Sequence, residues 1–540
     1  MNRNFPESTP VLIVGGGPVG MAVAAELGRY GVECLLVEAT DGTVDHPRAS
    51  ALNSRTMEFC RRWGISETVQ EVGTPPDFPH SVIYVTSLTG YLMATVDRSH
   101  HGGGSEPLPE TPERPQRCNQ IWFNPVLRDH VETLPSVTQM PMCRLEAIEA
   151  DGDGYIGTLR DLTDDITHRI AARFVVAACG GRSPVPGAIG VTMGPDSLLS
   201  HSINIFIRTP ALWERHDKGK AALNFFVGTD GLWGGLTAQD GRDYWRLTLH
   251  GNKSYIDPAT IDPHFWLRRA FGGEFEYEFL NMVAWARREW TAERFQQDGI
   301  FLVGDAAHQN SPSGGFGLNT GMGDAIDLGW KLASVINGWG GAGMLGSYEI
   351  ERRPVALRNV TEAADNYRRY ALPDTAQIDD LGPVGEVLRK EIGEGLGESQ
   401  RRQMVTDGIA LGYRYGPSPI CIPDGTAMPP DDFGVYTPIA RPGSRAPHGW
   451  IAPGKSIIDL FGDGFVLLRF GEDAPEPEKI VTAARACGVP LAVETIGDPA
   501  LADLYQAKLV LVRPDGHVAW RGNSVPADPL SIIDRVRGAA

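Results

Sequence analysis

The stretch VLIVGGGPVG at residues 11–20, with Glu38 downstream, decides how this chain is read. Val11, Leu12, Ile13 and Val14 form an apolar run that reads as a buried strand. The strand enters a G-x-G-x-x-G loop of Gly15, Gly17 and Gly20, with Pro18 and Val19 inside it, and a helix is expected over 21–30. Gly15 permits a tight turn, Gly17 lets the backbone approach a pyrophosphate, and Gly20 lets helix pack close on strand. The free N–H groups and the dipole at the helix start attract phosphate. Gly31 ends the helix, residues 33–37 read as the second strand, and Glu38 at its end can accept from a ribose 2′-OH. A glycine motif alone is weak. Strand, loop, helix, strand and acid in this order specify a dinucleotide-binding unit.

Composition bounds the rest. A chain of 540 residues is long enough for roughly two to four domains. With 42% apolar and 21% charged residues it reads as an ordinary globular protein. The formal net charge of −18 argues against a nucleic-acid or anionic-membrane partner, which would need a basic face. No basic-plus-apolar leader precedes the first strand and no apolar run spans a membrane, so a cytoplasmic location is expected. Cys34, Cys60, Cys118, Cys143, Cys179, Cys421 and Cys487 are scattered and contain no C-x-x-C, so free thiols are expected and no metal site.

The fingerprint unit continues through HPRASALNSRTMEFCRRWG at 46–64, whose second part is an amphipathic helix with Met57, Phe59 and Trp63 as apolar positions. Residues 101–115, rich in Gly and Pro, read as a long surface loop. Helical spacing over 120–134 and a buried strand over 173–178 follow. From 202 to about 289 the pattern changes to SINIFIR, ALNFFVG, LWGGLTAQ and DYWRLTLHG, short strands of an inserted antiparallel sheet. A buried strand at 301–303 comes next, then a helix expected over 321–336, and 347–403 reads as largely helical. Beyond a composition break near 429–441, FVLLRF, PLAVETI and the hairpin VLVRP/HVAWR suggest a small α/β domain.

A second site stands at Gly304-Asp305-Ala306-Ala307-His308, followed by SPSGGFGLNTG at 311–321. Asp305 at a strand end can accept from a sugar-alcohol hydroxyl. The loop glycines bring N–H groups near a planar ring, and the helix start favours negative charge on it.

With both sites in place, the chain resembles the FAD-dependent aromatic hydroxylases, single-component flavoprotein monooxygenases related to para-hydroxybenzoate hydroxylase. It is most similar to their longer members acting on phenols, phenylpropanoids and polyketides. The matching stretches are the fingerprint, HPRASALNSRTMEF, the GRS at 181–183, FLVGDAAHQNSPSGGFGLNTGMGDAIDLGWKLA, SYEIERRP, PGSRAPHGW and LVLVRPDGHVAWRG. The resemblance implies an α/β fold: a Rossmann-type FAD-binding domain over 1–200 and 290–370, an inserted antiparallel-sheet substrate domain over 201–289, a helical linker over 371–430, and a C-terminal thioredoxin-like domain over 431–540 without C-x-x-C. It implies that Gly15, Gly17, Pro18, Val19, Gly20 and Glu38 hold the adenosine diphosphate of FAD. Gly304 and Asp305 would hold the ribityl chain, and Pro312, Gly315, Gly317, Leu318 and Asn319 would line the isoalloxazine. Arg48 and Gln120 match positions that contact FAD.

Three departures stand out. Cys179 precedes Gly180 where the family usually has Asp-Gly, a motif linked to FAD and NAD(P)H; Arg182 remains. Pro186 replaces a usual Arg, and Asp327 stands where Asn is common.

The implied chemistry needs NAD(P)H as hydride donor, O2 captured as a hydroperoxide at flavin C4a, and a small aromatic substrate; a homodimer is allowed for. The cofactor carries the hard step, which explains why few catalytic side chains are visible. An acceptor for the substrate hydroxyl is expected. His201, Tyr244 and His250 lie in the sheet region, and none is singled out. Phe206, Phe225, Trp233 and Trp245 are the candidate pocket residues. Baeyer–Villiger oxygenation and a non-catalytic FAD-binding protein are the rival readings. A flavin halogenase would carry W-x-W-x-I-P, which this sequence lacks.

Overall fold

The computed structural model describes residues 4–96, 107–182, 185–192, 197–369, 372–399, 403 and 405–540. Ser183 of the GRS motif, the side chain of Arg182, and 101–106 of the expected surface loop lie outside the described residues.

The first sheet carries the fingerprint. Ser8–Val14 lies parallel between Cys34–Val37 and Thr167–Ala177, with Val137–Met140 beyond the former and Ile300–Leu302 beyond the latter. Residues 11–14 and 175–177, with Cys34–Val37 and Ile300–Leu302, are buried apolar runs, as in a parallel sheet covered on both faces. The helix after the loop runs over Pro18–Arg29 and so starts earlier than expected. Pro18 occupies its first turn, where the missing N–H costs nothing. It packs against the long helix Phe316–Ile336, which also begins earlier than the sequence suggested.

The second sheet has seven strands in the order Glu278–Arg288, Leu198–Arg208, Tyr244–His250, Gly231–Ala238, Leu223–Gly228, Val82–Val85 and Leu92–Val96. The last two strands correct the expected boundaries. They come from the segment assigned to the FAD-binding domain, and Val82–Val85 joins the sheet parallel to Leu223–Gly228. Alternation decides the faces. On Tyr244–His250, the odd-numbered Trp245, Leu247 and Leu249 enter a core with Leu267, Ala270 and Phe271 of the helix Pro263–Phe271. The even-numbered residues point the other way, toward the fingerprint unit.

The span 371–430 is not simply a helical linker. Its helix Pro383–Ser399 covers one end of the sheet, seating Ile392 and Leu396 on Val82, Tyr84 and Phe225. The remainder also carries the short helix Asp407–Ala410. The described part of the expected surface loop also differs. Thr111 and Glu113 are buried, Thr111 donates to Glu58, and the carbonyl of Glu110 accepts from Arg445.

At the C-terminus, Leu491–Ile496, Phe465–Phe470, Leu509–Val512 and Val518–Gly522 form a four-stranded sheet, the first pair parallel and the rest antiparallel. Helices Glu478–Ala486 and Pro529–Val536 cover one face in a core that includes Trp330 and Trp339. Trp330 meets Phe465 edge-on at 6.0 Å. The C-terminal unit therefore shares a core with the helix that follows the second glycine loop.

Candidate active site

The three fingerprint glycines do different work. Gly15 has φ +114°, and a Cβ there would sit 2.5 Å from the Ala178 carbonyl oxygen. At Gly20 a Cβ would sit 1.9 Å from the Gly15 oxygen. Both are demanded by the fold. Gly17 caps the helix with φ −71° and ψ 176°, and a Cβ there would meet nothing within 4 Å. Its space is open on the side where a pyrophosphate approaches the helix N–H groups. Glu38 braces this loop: it accepts from the Gly16 N–H at 2.8 Å and from the Thr40 N–H and hydroxyl at 2.9 and 2.8 Å. Oε1 is filled by Thr40, whereas Oε2 takes only the Gly16 N–H and can accept again, which leaves it able to take a ribose hydroxyl. Val19 acts as a spacer, because a Cβ on Gly304 would meet it at 3.1 Å and one on Gly321 at 2.7 Å. It sets the fingerprint against the second loop.

Asp305 follows the strand Ile300–Leu302. It lies deep in the molecule yet keeps an open surface, as a residue lining a cleft does. Its carboxylate makes no hydrogen bond to a described residue. Burial raises its pKa, opposed by His308 and by Arg48 across the cleft. The Arg48 guanidinium also has no hydrogen-bond partner among the described residues, and Gln120 opens the helix Gln120–Glu132 with a buried side chain in the same condition. Three polar heads of complementary kinds thus remain unspent around one cleft. All three heads stay free to be taken up by a bound group, so the residues present fit FAD. The groups available are a helix start for the pyrophosphate and Asp305 for the ribityl hydroxyls.

At the other end, Gly314 and Gly315 take φ +99° and +73°, and the Gly315 N–H closes a turn on the Pro312 carbonyl at 3.0 Å. This turn delivers Gly317 and Leu318 in the first turn of Phe316–Ile336, where N–H groups are unpaired. Asn319 is spent on the scaffold. It donates to the Ala51 and Gly315 carbonyls at 2.8 and 2.7 Å and accepts from the Asn53 N–H and Thr56 hydroxyl at 2.9 and 2.7 Å. It ties the loop to the segment after HPRA rather than reaching the cleft with its side chain.

The near face of the second sheet closes the site. Phe206 stacks with Tyr244 at 5.7 Å and meets His46 edge-on at 6.1 Å. Phe225 stacks on Tyr84 at 5.2 Å. Trp233 and Trp245 are a correction: both belong to the core on the far face, Trp233 against Phe226 and Trp266, Trp245 near Trp213. Strand alternation puts them there. His201 also faces away, against the exposed Tyr255. His250 is on the near face, but burial and Arg287 push its pKa down to about 3, so it is neutral and a poor base.

The sequence reading missed Arg246. It donates to the Pro47 and Arg48 carbonyls at 3.2 and 3.0 Å, and among the described residues its Nε has no partner and no carboxylate pairs with it. Burial lowers its pKa to about 10, so it stays charged at neutral pH. Its place between Trp245 and Leu247 was the available signal, a cation on the face opposite the apolar one. Asp324 was also missed. It accepts from the Gly304 N–H at 3.1 Å and His308 Nε2 at 2.7 Å, and from Arg352 Nε at 2.8 Å. Burial raises its pKa, but His308 and Arg352 outweigh that and hold it low. Cys179 lies half-buried at the end of Thr167–Ala177, its Cα directly beneath the Gly15 turn. Pro186 is buried in the short helix Val185–Ala188.

Comparison with known proteins agrees with this geometry. The FAD binding domain family matches residues 8–363, and the C-terminal domain of aromatic-ring hydroxylases matches 440–540. The chain is 30% identical over 577 residues to the tetracenomycin B2 monooxygenase-dioxygenase of Streptomyces olivaceus, covering 98% of this chain and 97% of that one. Among solved structures, RebC soaked with chromopyrrolic acid and holding 7-carboxy-K252c superposes with a TM-score of 0.90 at 40% identity, over 99% of this chain and 100% of that one. Aklavinone-11 hydroxylase in its ternary complex with FAD and aklavinone gives 0.80 at 26% identity, over 99% of both chains. The chain belongs to the FAD-dependent aromatic-ring hydroxylases, flavoprotein monooxygenases of aromatic and polyketide substrates.

Proposed function

We propose that this enzyme performs NAD(P)H- and O2-dependent hydroxylation of a phenolic or fused aromatic substrate that carries an acidic group. The observation that carries the acidic group is Arg246, a deep guanidinium on the sheet face turned to the cofactor cleft, with no carboxylate partner among the described residues. A buried cation without a counter-ion is unfavourable, and a ligand carboxylate supplies the missing charge. RebC, a relative crystallised with a ligand named for its carboxyl group, supports an acidic ligand here.

Bound FAD would supply the redox chemistry, accepting hydride from NAD(P)H and activating O2 for transfer to the ring. The protein's part is placement. The helix start at Gly17 and the Asp305 carboxylate would hold the cofactor's phosphates and ribityl chain. The first turn of Phe316–Ile336 offers N–H groups to the polar edge of its ring. Phe206, Tyr244 and Phe225 form an apolar wall that excludes water from the reacting face. Arg246 fixes the acid and so sets which ring carbon faces the oxidant. His250 stays neutral and serves as a hydrogen-bonding group rather than a base.

The test is a panel of phenolic acids with their methyl esters, followed by NAD(P)H consumption and product mass. A charge-assisted bond of about 1.5–3 kcal/mol predicts a roughly 10- to 150-fold preference for the acid. Arg246→Met should abolish that preference in the FAD-loaded enzyme. Equal turnover of acid and ester, with no effect of the substitution, would refute the acidic substrate. An ester or lactone product in place of a phenol would move the reading to Baeyer–Villiger oxygenation.

A further inference from the structure

Two ladders of buried ion pairs run side by side between the helices Phe316–Ile336 and Gly346–Arg368. The first belongs to the flavin loops. Asp324 holds Gly304 and His308, and Arg352 holds Asp324 while donating to the Thr320 carbonyl at 2.9 Å. The second lies one turn further on. Asp327 accepts from Lys331 Nζ at 2.7 Å, and Lys331 also reaches Glu351 at 2.6 Å.

The second ladder is completed from outside the FAD-binding unit. Arg513, fully buried, extends from the C-terminal sheet between the two helices. It donates to both oxygens of Glu351 at 2.6 and 2.9 Å, to Asp327 at 3.0 Å, and to Asp515 at 2.7 Å. Glu351 and Arg352 are neighbours on one helix, and Asp324 and Asp327 lie one turn apart on the other. Each helix therefore carries one residue for Arg513 and one for the flavin loop. Tyr415 connects the ladders again: its hydroxyl accepts from Arg352 at 3.3 Å, and the Arg513 guanidinium lies over its ring at 5.0 Å. Asp327, the departure from the common Asn, is the point at which Arg513 grips the helix whose first turn faces the cofactor.

We propose that Arg513 is a positioning residue for the flavin site, locking the axial register of Phe316–Ile336 against Gly346–Arg368, so that the C-terminal unit is part of the cofactor-binding apparatus. A planar guanidinium held by two carboxylates permits one register, whereas apolar packing alone tolerates sliding. A slide of either helix carries Asp324 away from Gly304 and His308, and with it the loop bearing Asp305.

The experiment uses the full chain, with Arg513→Met, Arg513→Lys and Val510→Ala. Val510 sits in a C-terminal core built only of residues from Ala440 onward, so its truncation lowers stability without touching the ladders. FAD affinity is measured by flavin fluorescence, the bound flavin by visible circular dichroism, and the apo-protein by its melting temperature. Arg513→Met is expected to weaken FAD at least tenfold and alter the flavin signal at a temperature where far-ultraviolet circular dichroism is unchanged. Arg513→Lys, which keeps the charge but loses the fork, should weaken it about threefold to tenfold. Val510→Ala should lower the melting temperature and leave flavin affinity and signal alone. FAD affinity within twofold of wild type in Arg513→Met overturns the proposal. So does an equal loss in Val510→Ala at matched melting temperature. Should Arg513→Met fail to fold, Arg513→Lys decides: unchanged FAD binding and signal overturn the proposal, and the intermediate loss upholds it.

Discussion

Placing a side chain at Gly17 separates cofactor binding from folding. A Cβ there meets no protein atom within 4 Å, and φ −71° suits any residue. Gly17→Val should therefore cost apo stability no more than about 1 kcal/mol, the difference between glycine and an aliphatic residue at a helix N-cap. The same isopropyl group stands where a pyrophosphate must approach the helix start. Losing one or two charge-assisted N–H bonds, each about 1.5–3 kcal/mol, weakens FAD by about tenfold or more. Gly15→Ala and Gly20→Ala give the opposite pattern. Gly15 lies at φ +114° with a carbonyl 2.5 Å from its Cβ position, and Gly20 faces one at 1.9 Å. The left-handed backbone alone costs about 1–2 kcal/mol at Gly15, and the clashes add to it at both. Thermal melts of the apo-proteins and FAD titrations on the three variants provide the check. A Gly17→Val protein that binds FAD normally, or that melts as early as Gly20→Ala, would refute the reasoning.

Three other substitutions probe the same account. Asp305→Ala removes a carboxylate that has no hydrogen-bond partner among the described residues, so FAD should weaken by roughly 10- to 150-fold with the circular dichroism spectrum intact; unchanged affinity would make Asp305 a turn residue only. Burial raises the Glu58 pKa, but Arg445 and Arg55 outweigh it and hold it at about 2 against an ordinary 4.5. That depression stabilises the fold by about 3 kcal/mol above pH 4.5 and is lost as pH falls toward 2. Glu58→Gln should flatten that acid limb of a stability–pH curve, and at pH 7 should cost about 3–5 kcal/mol through the two stranded arginines. Cys179→Asp returns the family's usual carboxylate beneath the Gly15 turn and should speed flavin reduction by NAD(P)H in stopped flow. Slower reduction together with a lower melting temperature would mean that this corner is packed for a thiol.

The parts of the fold that were legible in the sequence are those written in contiguous residues. Val11–Val14, the spaced glycines and Glu38 each act on near neighbours, so their order alone encodes strand, turn and helix start. The cofactor cleft was legible for the same reason, since Asp305 and the SPSGGFG loop form one local unit. The second sheet was only half legible. Val82–Val85 pairs with Leu223–Gly228 across a long separation, and no local pattern reveals which distant strand completes an edge. Trp233 and Trp245 were misplaced because an aromatic in a strand satisfies either face, whereas alternation with Arg246 and His250 assigns the faces. Asn319 shows a further limit. Its motif marks the cofactor loop, but only the geometry reveals that its side chain is spent on Ala51, Asn53, Thr56 and Gly315. The ladder around Arg513 was present in outline as Asp324, Asp327 and Lys331, three charges on one face of an apolar helix. The cation that answers them comes from another unit of the chain.

The central claim is that this cleft delivers an oxygen atom from O2 to an aromatic ring at the expense of NAD(P)H. The most direct measurement is a turnover under 18O2 with the FAD-loaded enzyme, NAD(P)H and the phenolic-acid panel, read by product mass. The account predicts a product heavier by one 18O, with the label on a ring hydroxyl and one NAD(P)H consumed per product. NAD(P)H oxidation that yields only hydrogen peroxide across the panel, or oxygen that derives from water, would contradict it.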